Sequence, residues 1–211
     1  ARRRLRRLRA GVDAGQAVAA DGAHVHALDL RIVEVHAGGD DQEVVADALA
    51  AGGLRFMNYT TVPMCSPARA ALLTGKNPHS VGCGWIAHAN PGFPGYKSEI
   101  ARDAPTLAEI LGGEGYSTMM VGKWHNTWGH HVHEAGERGS WPLQRGFDKF
   151  YGFLDAETSY LHPEWLYEGN NPVEIDSYPA DHFATDDWTS RAIRWMKEHH
   201  ASEPTHPFFM Y

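Results

Sequence analysis

The run "YSTMMVGKW" at 116–124 constrains the fold of this chain most. Its apolar residues are consecutive rather than alternating, the mark of a strand buried on both faces, and it runs on into a loop. A helix precedes it. Thr106 and Glu109 have the spacing of a capping box, Leu107, Ile110 and Leu111 follow, and Gly112-Gly113 stop the helix. A second helix is predicted from Thr185 to His200, with Trp188, Ala192, Trp195 and Met196 on one face. Asp186 and Asp187 stand in its first turn and Lys197, His199 and His200 in its last, as the helix dipole favours. "HPFFMY" (206–211) then reads as another core strand. Helices alternating with buried strands define an α/β fold: a mostly parallel central sheet flanked by helices.

The remaining segments are less regular. Residues 1–46 are rich in Ala, Gly and Asp, with one strand-like patch, "LRIVEV" at 30–35. The opening "ARRRLRRLRA" reads as a poorly ordered tail, because no continuous apolar segment follows to complete a secretory signal. Residues 46–51 suit a helix stopped by Gly52-Gly53, and "LRFMNYT" (54–60) alternates as a strand would. Residues 126–182, rich in Gly, Pro, His and aromatics, read as long loops with short elements. No apolar run is long enough to cross a bilayer. The net charge of −7 argues against nucleic acid or an anionic membrane as partner. Cys65 and Cys83 are the only cysteines, too few for a disulfide framework.

One of them stands in an informative place. In "MCSPARAALLTG" (64–75), Ser66 suits an N-cap and Pro67 the first turn of a helix over 67–74, closed by Gly75. Cys65 then sits at a helix mouth, where free N–H groups and the dipole favour negative charge, with Arg69 one turn along. The position suits an anion, or a nucleophile that attacks one. The plain alternative is a small buried residue before a tight turn.

"CSPARAALLTG" resembles the signature of the type I, formylglycine-dependent sulfatases, members of the alkaline phosphatase superfamily. Cys65, Pro67 and Arg69 match its core, and Leu73, Thr74 and Gly75 its continuation. "GYSTMMVGKWH" (115–125) resembles the family's second signature, and "GFPGY" (92–96), "WPLQRGFDKFYGF" (141–153) and "HPFFMY" resemble further segments, the first of them bacterial arylsulfatases. The similarity covers about residues 47 to 211, read as the N-terminal part of a sulfatase catalytic domain, with 1–46 atypical.

The resemblance implies that Cys65 is oxidised to formylglycine by a formylglycine-generating enzyme that reads Cys65, Pro67 and Arg69. The hydrated aldehyde would attack sulfur with one hydroxyl and expel sulfate with the other. It implies that Arg69 orients the diol, that Lys123 contacts the sulfate of a small-molecule ester, and that His125 is hydrogen-bonded to the diol and serves as base. Spaced two apart on a strand or its extended exit, Lys123 and His125 would face one side. It also implies a divalent cation, usually Ca2+, with an oxygen of the modified Cys65 among its ligands. The other ligands are not identifiable: Asp40-Asp41 reads as a solvated turn, and the family's later ligands would follow Tyr211. The sequence reading therefore expects an incomplete domain with impaired turnover. Its alternatives are a phosphonate monoester or phosphodiester hydrolase with the same modified cysteine, or an inactive sulfatase-like fragment. His130, His131 and His133 read as surface-loop histidines rather than a zinc site, and Lys76 and His79 receive no role. With no export signal visible, the cytoplasm is the favoured compartment.

Overall fold

The apolar run at 116–124 forms an interior strand of a sheet that has five strands among the described residues. The computed structural model describes residues 50–53 and 56–211, and residues 58–211 form one compact unit. Strand β1 (Ser117–Lys123) pairs in parallel with β2 (Lys149–Phe153) on one side and β5 (Phe208–Met210) on the other. Beyond β2, the strands β3 (Leu166–Glu168) and β4 (Asn171–Pro172) add antiparallel, giving the order β4-β3-β2-β1-β5. The sheet is thus parallel at its centre and antiparallel at one edge. A two-residue loop at Gly169 (φ 62°) and Asn170 can only send the chain back antiparallel.

Helices cover both faces. Helix α1 (Cys65–Thr74) and α2 (Leu107–Gly113) contribute Ala70, Leu73 and Ala108 to a core with Met120, Phe150 and Tyr167. On the opposite face, Trp195 of α3 (Ala184–Ser202) packs with Met119, Tyr151, Phe153 and Leu166. Adjacent residues Met119 and Met120 serve different cores because successive strand side chains point to opposite faces. That is why β1 must be apolar throughout.

The capping box of α2 is complete: Glu109 N–H donates to Thr106 Oγ1 at 3.1 Å, and Thr106 N–H to Glu109 Oε2 at 2.6 Å. Buried Arg145 then ties α2 to the loops before it. Its guanidinium donates to the carbonyls of Ile100 and Ala104, each at 2.7 Å, and to both Glu109 oxygens. Burial opposes the Glu109 charge, but the Arg145 and Thr106 hydrogen bonds prevail and hold its carboxyl below the usual range.

The connection from β1 to β2 has two short 3-10 turns, Gly129–His131 and Pro142–Arg145. Indole groups hold it in place. Trp124 Nε1 donates to Ser140 O at 2.9 Å, and Trp141 Nε1 to His131 O at 2.9 Å.

Two local expectations need correction. Residues 56–60 form no strand, and Tyr59 is 76% exposed. A strand needs a neighbour for its backbone groups, and this segment pairs with neither sheet edge. Helix α1 starts two residues earlier than predicted, with Met64 rather than Ser66 as N-cap. Met64 is extended (φ −136°, ψ 142°) and its carbonyl accepts the first helical bond, from Ala68 N–H at 2.9 Å. Ser66 Oγ instead accepts from Ala87 N–H at 3.1 Å, a tertiary use that local pattern does not reveal. Residues 50–52 are helical, consistent with the end of the predicted helix. The basic start, the patch at 30–35, Asp40-Asp41, residues 46–49 and residues 54–55 lie outside the described residues.

Candidate active site

The C-terminal ends of the three parallel strands meet one helix mouth. Lys123 closes β1 and His125 lies just after it; Asp155 comes after β2, and Tyr211 after β5. Crevices outside the carboxyl ends of parallel strands are where α/β sheets build their sites. Helix α1 joins this edge through Arg69, whose Nη1 donates to the Lys123 carbonyl.

Cys65 is the first residue of α1, half-buried, with a free thiol. Its N–H and that of Ser66 have no carbonyl one turn back, and Pro67 has no N–H to offer. No acidic residue stands in the first turn to offset the dipole. The helix mouth is therefore an electropositive setting for residue 65.

His125 is buried, 1% exposed, in a left-handed conformation (φ 53°). Its N–H donates to Leu154 O at 3.0 Å, and Trp124 N–H to Phe153 O at 3.0 Å, so the pairing of β1 with β2 continues past the strands. Because of this backbone turn, the simple two-residue alternation does not relate His125 to Lys123. The two are nevertheless electrostatically coupled. Burial first, then the positive charge of Lys123, of His88 when it is protonated, and of Arg69, push the His125 pKa down to about 3, with Asp155 opposing. Its imidazole is neutral across the physiological range. Nδ1 is buried with no hydrogen-bond partner among the described residues.

Three contacts were not legible in the motifs. His125 Nε2 lies 3.4 Å from His88 Nδ1, and His88 Nε2 lies 2.5 Å from Asp155 Oδ1. Asn126, fully buried, donates from Nδ2 to Ser66 O at 3.0 Å and so ties the turn after β1 to the start of α1. Burial raises the Tyr211 pKa, while the Arg69 guanidinium beside its hydroxyl pulls the other way. The signal that could have found Asp155 and Tyr211 is their place just past the end of a parallel strand. His88 sits in "IAHANPGF" (86–93), which carries no pattern of its own.

The other sequence candidates stay apart from this edge. Lys76 and His79 are exposed, and His130 and His133 lie on the surface. Trp128 stacks near His130 and His131, with ring centroids 4.6 and 5.1 Å away. A cleft of about 580 Å³ is lined by Asn90, Phe93, Lys97, Glu99, Trp128 and His131, and by none of the candidate site residues. Among the described residues, no three His, Cys, Asp or Glu side chains cluster as a metal site. They do not by themselves fit a Ca2+ ion, and Asp40-Asp41 lies outside them. No helix among them is long and apolar enough to cross a membrane.

The α/β sheet thus gathers a cysteine at a helix mouth, an arginine, a lysine and a neutral histidine at the ends of its parallel strands. A family model for sulfatases matches residues 29–211, and the chain belongs to the sulfatase family. It is 28% identical over 181 residues to an arylsulfatase of Klebsiella aerogenes, covering 79% of this chain and 36% of that protein. It is 41% identical over 110 residues to bovine (Bos taurus) arylsulfatase A, covering 50% of this chain and 19% of that protein. The solved structure of BT4656 with its substrate D-glucosamine-2-N,6-O-disulfate is 28% identical with a TM-score of 0.54, covering 78% of this chain and 27% of that one. The chain thus spans about a fifth to a third of the length of these relatives.

Proposed function

We propose that the protein hydrolyses sulfate esters of the arylsulfatase type, with residue 65 working as formylglycine. The observation that carries this reading is the neutral, buried His125, whose unpartnered Nδ1 belongs to the same strand-end constellation as the Arg69–Lys123 link to the Cys65 helix. An unsatisfied buried nitrogen of this kind is costly unless a group in the working site uses it. When present, the formylglycine hydrate supplies both the nucleophilic hydroxyl and a second hydroxyl whose proton loss releases sulfate.

Each residue of the site then has a part. His125 takes a proton at Nδ1, a step helped by its neutrality at working pH. Lys123 and the remaining guanidinium N–H groups of Arg69 offset the charge of the sulfate group and of the hydrate. The N–H groups at the start of α1 hold the anionic side of residue 65. Asn126 fixes the distance between the His125 turn and that helix start. Cys65, Pro67 and Arg69 serve before this as the recognition sequence for the converting enzyme. The family match begins at residue 29, and every residue given a part here lies within 47–211.

The test is turnover of 4-nitrophenyl sulfate against an aryl phosphonate monoester by the full-length protein, matured in a host with the converting enzyme. Preferred hydrolysis of the sulfate, abolished in Cys65→Ala, is expected. Preference for the phosphonate moves the reading to the related hydrolases, and inertness toward both refutes it.

A further inference from the structure

The contacts on His125 form a directional chain, and its proton positions depend on what each group can donate. Asp155 Oδ1 accepts from Ala156 N–H at 2.6 Å, so the carboxylate faces its neighbours as an acceptor. Its 2.5 Å contact with His88 Nε2 then requires the His88 proton on Nε2. A neutral His88 with Nε2–H has a lone pair on Nδ1, the atom that faces His125 Nε2 at 3.4 Å. That contact is a hydrogen bond only if His125 carries its proton on Nε2. The nitrogen left with a lone pair is His125 Nδ1, the same atom that is buried without a partner.

We infer that Asp155 and His88 are positioning residues, which fix His125 in the Nε2–H tautomer and so leave its basic lone pair on the buried Nδ1. This rests on the reading of His125 as the base. It adds two residues that no motif contains, from segments 67 positions apart. The logic is that of a carboxylate orienting a catalytic imidazole, with a second imidazole inserted between them. When His125 accepts a proton at Nδ1, its Nε2–H bond to His88 is kept, and the Asp155 charge favours the imidazolium. The charges acting on His125 are Lys123 and Arg69 on the positive side and Asp155 on the negative, and His88 joins the positive side only in its doubly protonated form. Gly129 leaves room for the His88 ring: a Cβ there would lie 3.3 Å from its Cδ2 and crowd it.

Nitrogen-15 NMR of the full chain, labelled in its histidine rings, reads the tautomers without requiring turnover. His88 and His125 are both expected as Nε2–H at neutral pH, and Asp155→Asn is expected to mix both populations. His199, whose Nε2 bonds His206 O at 2.8 Å away from the site, reports that each variant is folded. In the matured enzyme, His88→Leu is expected to lower kcat about 10- to 100-fold with little change in KM. His88→Gln, whose amide can donate to Asp155 and accept from His125, is expected to recover most of it. A wild-type His125 protonated on Nδ1, or a His88 carrying protons on both nitrogens, overturns the inference. Equal losses in the Leu and Gln variants do so too. Should the wild-type protein hydrolyse no sulfate ester, the function proposed above fails, and the ring tautomers still decide the relay.

Discussion

Gly152 offers a sharp test of how the strand ends are held together. In the β1–β2 register it stands opposite Gly122, one residue before the Lys123–Phe153 pair. A Cβ added at 152 would meet the Gly122 carbonyl oxygen at 1.9 Å and its C and N atoms at 2.7 Å. These are backbone atoms in the middle of a sheet, so Gly152→Ala must part the two strands by about 1 Å to reach contact distance. The bonds just beyond, Trp124 N–H to Phe153 O and His125 N–H to Leu154 O, are both 3.0 Å and would stretch past hydrogen-bonding range. Two lost ladder bonds and the strained core together predict about 3 to 5 kcal/mol of destabilisation. Urea unfolding measures it, and amide exchange at Trp124 and His125 locates it. Gly139→Ala is the control, because the atoms nearest its Cβ belong to the far end of the exposed Arg102 side chain rather than to backbone. A Gly152→Ala protein within about 1 kcal/mol of wild type, with both amides still protected, would refute this reasoning.

Three further outcomes concern other parts of the molecule. Arg145→Met leaves the Ile100 and Ala104 carbonyls unpaired and the Glu109 carboxylate with only its Thr106 N–H bond, and calorimetry should show a loss of about 3 to 5 kcal/mol. Because His125 titrates near 3 in the fold and at 6.5 as a free side chain, the unfolded chain binds its proton first as pH falls. Its contribution to stability is therefore full above pH 6.5 and is lost between there and about 3; His125→Gln should flatten that part of the stability profile by about 5 kcal/mol. Cys65→Ser has no second hydroxyl to expel the group, so incubation with an aryl sulfate should give at most one stable sulfate ester per chain, detectable by intact mass.

The sequence revealed the parts of this molecule whose signals are local. The Thr106–Glu109 box, the both-face burial of 117–123 and the stripe containing Trp195 are decided by neighbours three or four residues away, and each appears where predicted. The α1 cap was misplaced because Ser66 spends its hydroxyl on Ala87, twenty-one positions away. The segment at 56–60 alternates like a strand, but alternation does not supply a pairing partner. For the candidate site the division is similar. Cys65, Arg69, Lys123 and His125 belong to contiguous blocks, whereas His88, Asn126, Asp155 and Tyr211 acquire meaning only when the parallel strands align their ends. Nothing within "IAHANPGF" announces that its histidine faces His125.

The most direct measurement is the mass of the proteolytic peptide spanning Met64 to Gly75, from protein made in a host that has the converting enzyme. The account predicts that the sulfur of residue 65 is gone and that an aldehyde, reactive toward hydrazides, stands in its place. A peptide retaining the intact thiol would contradict it.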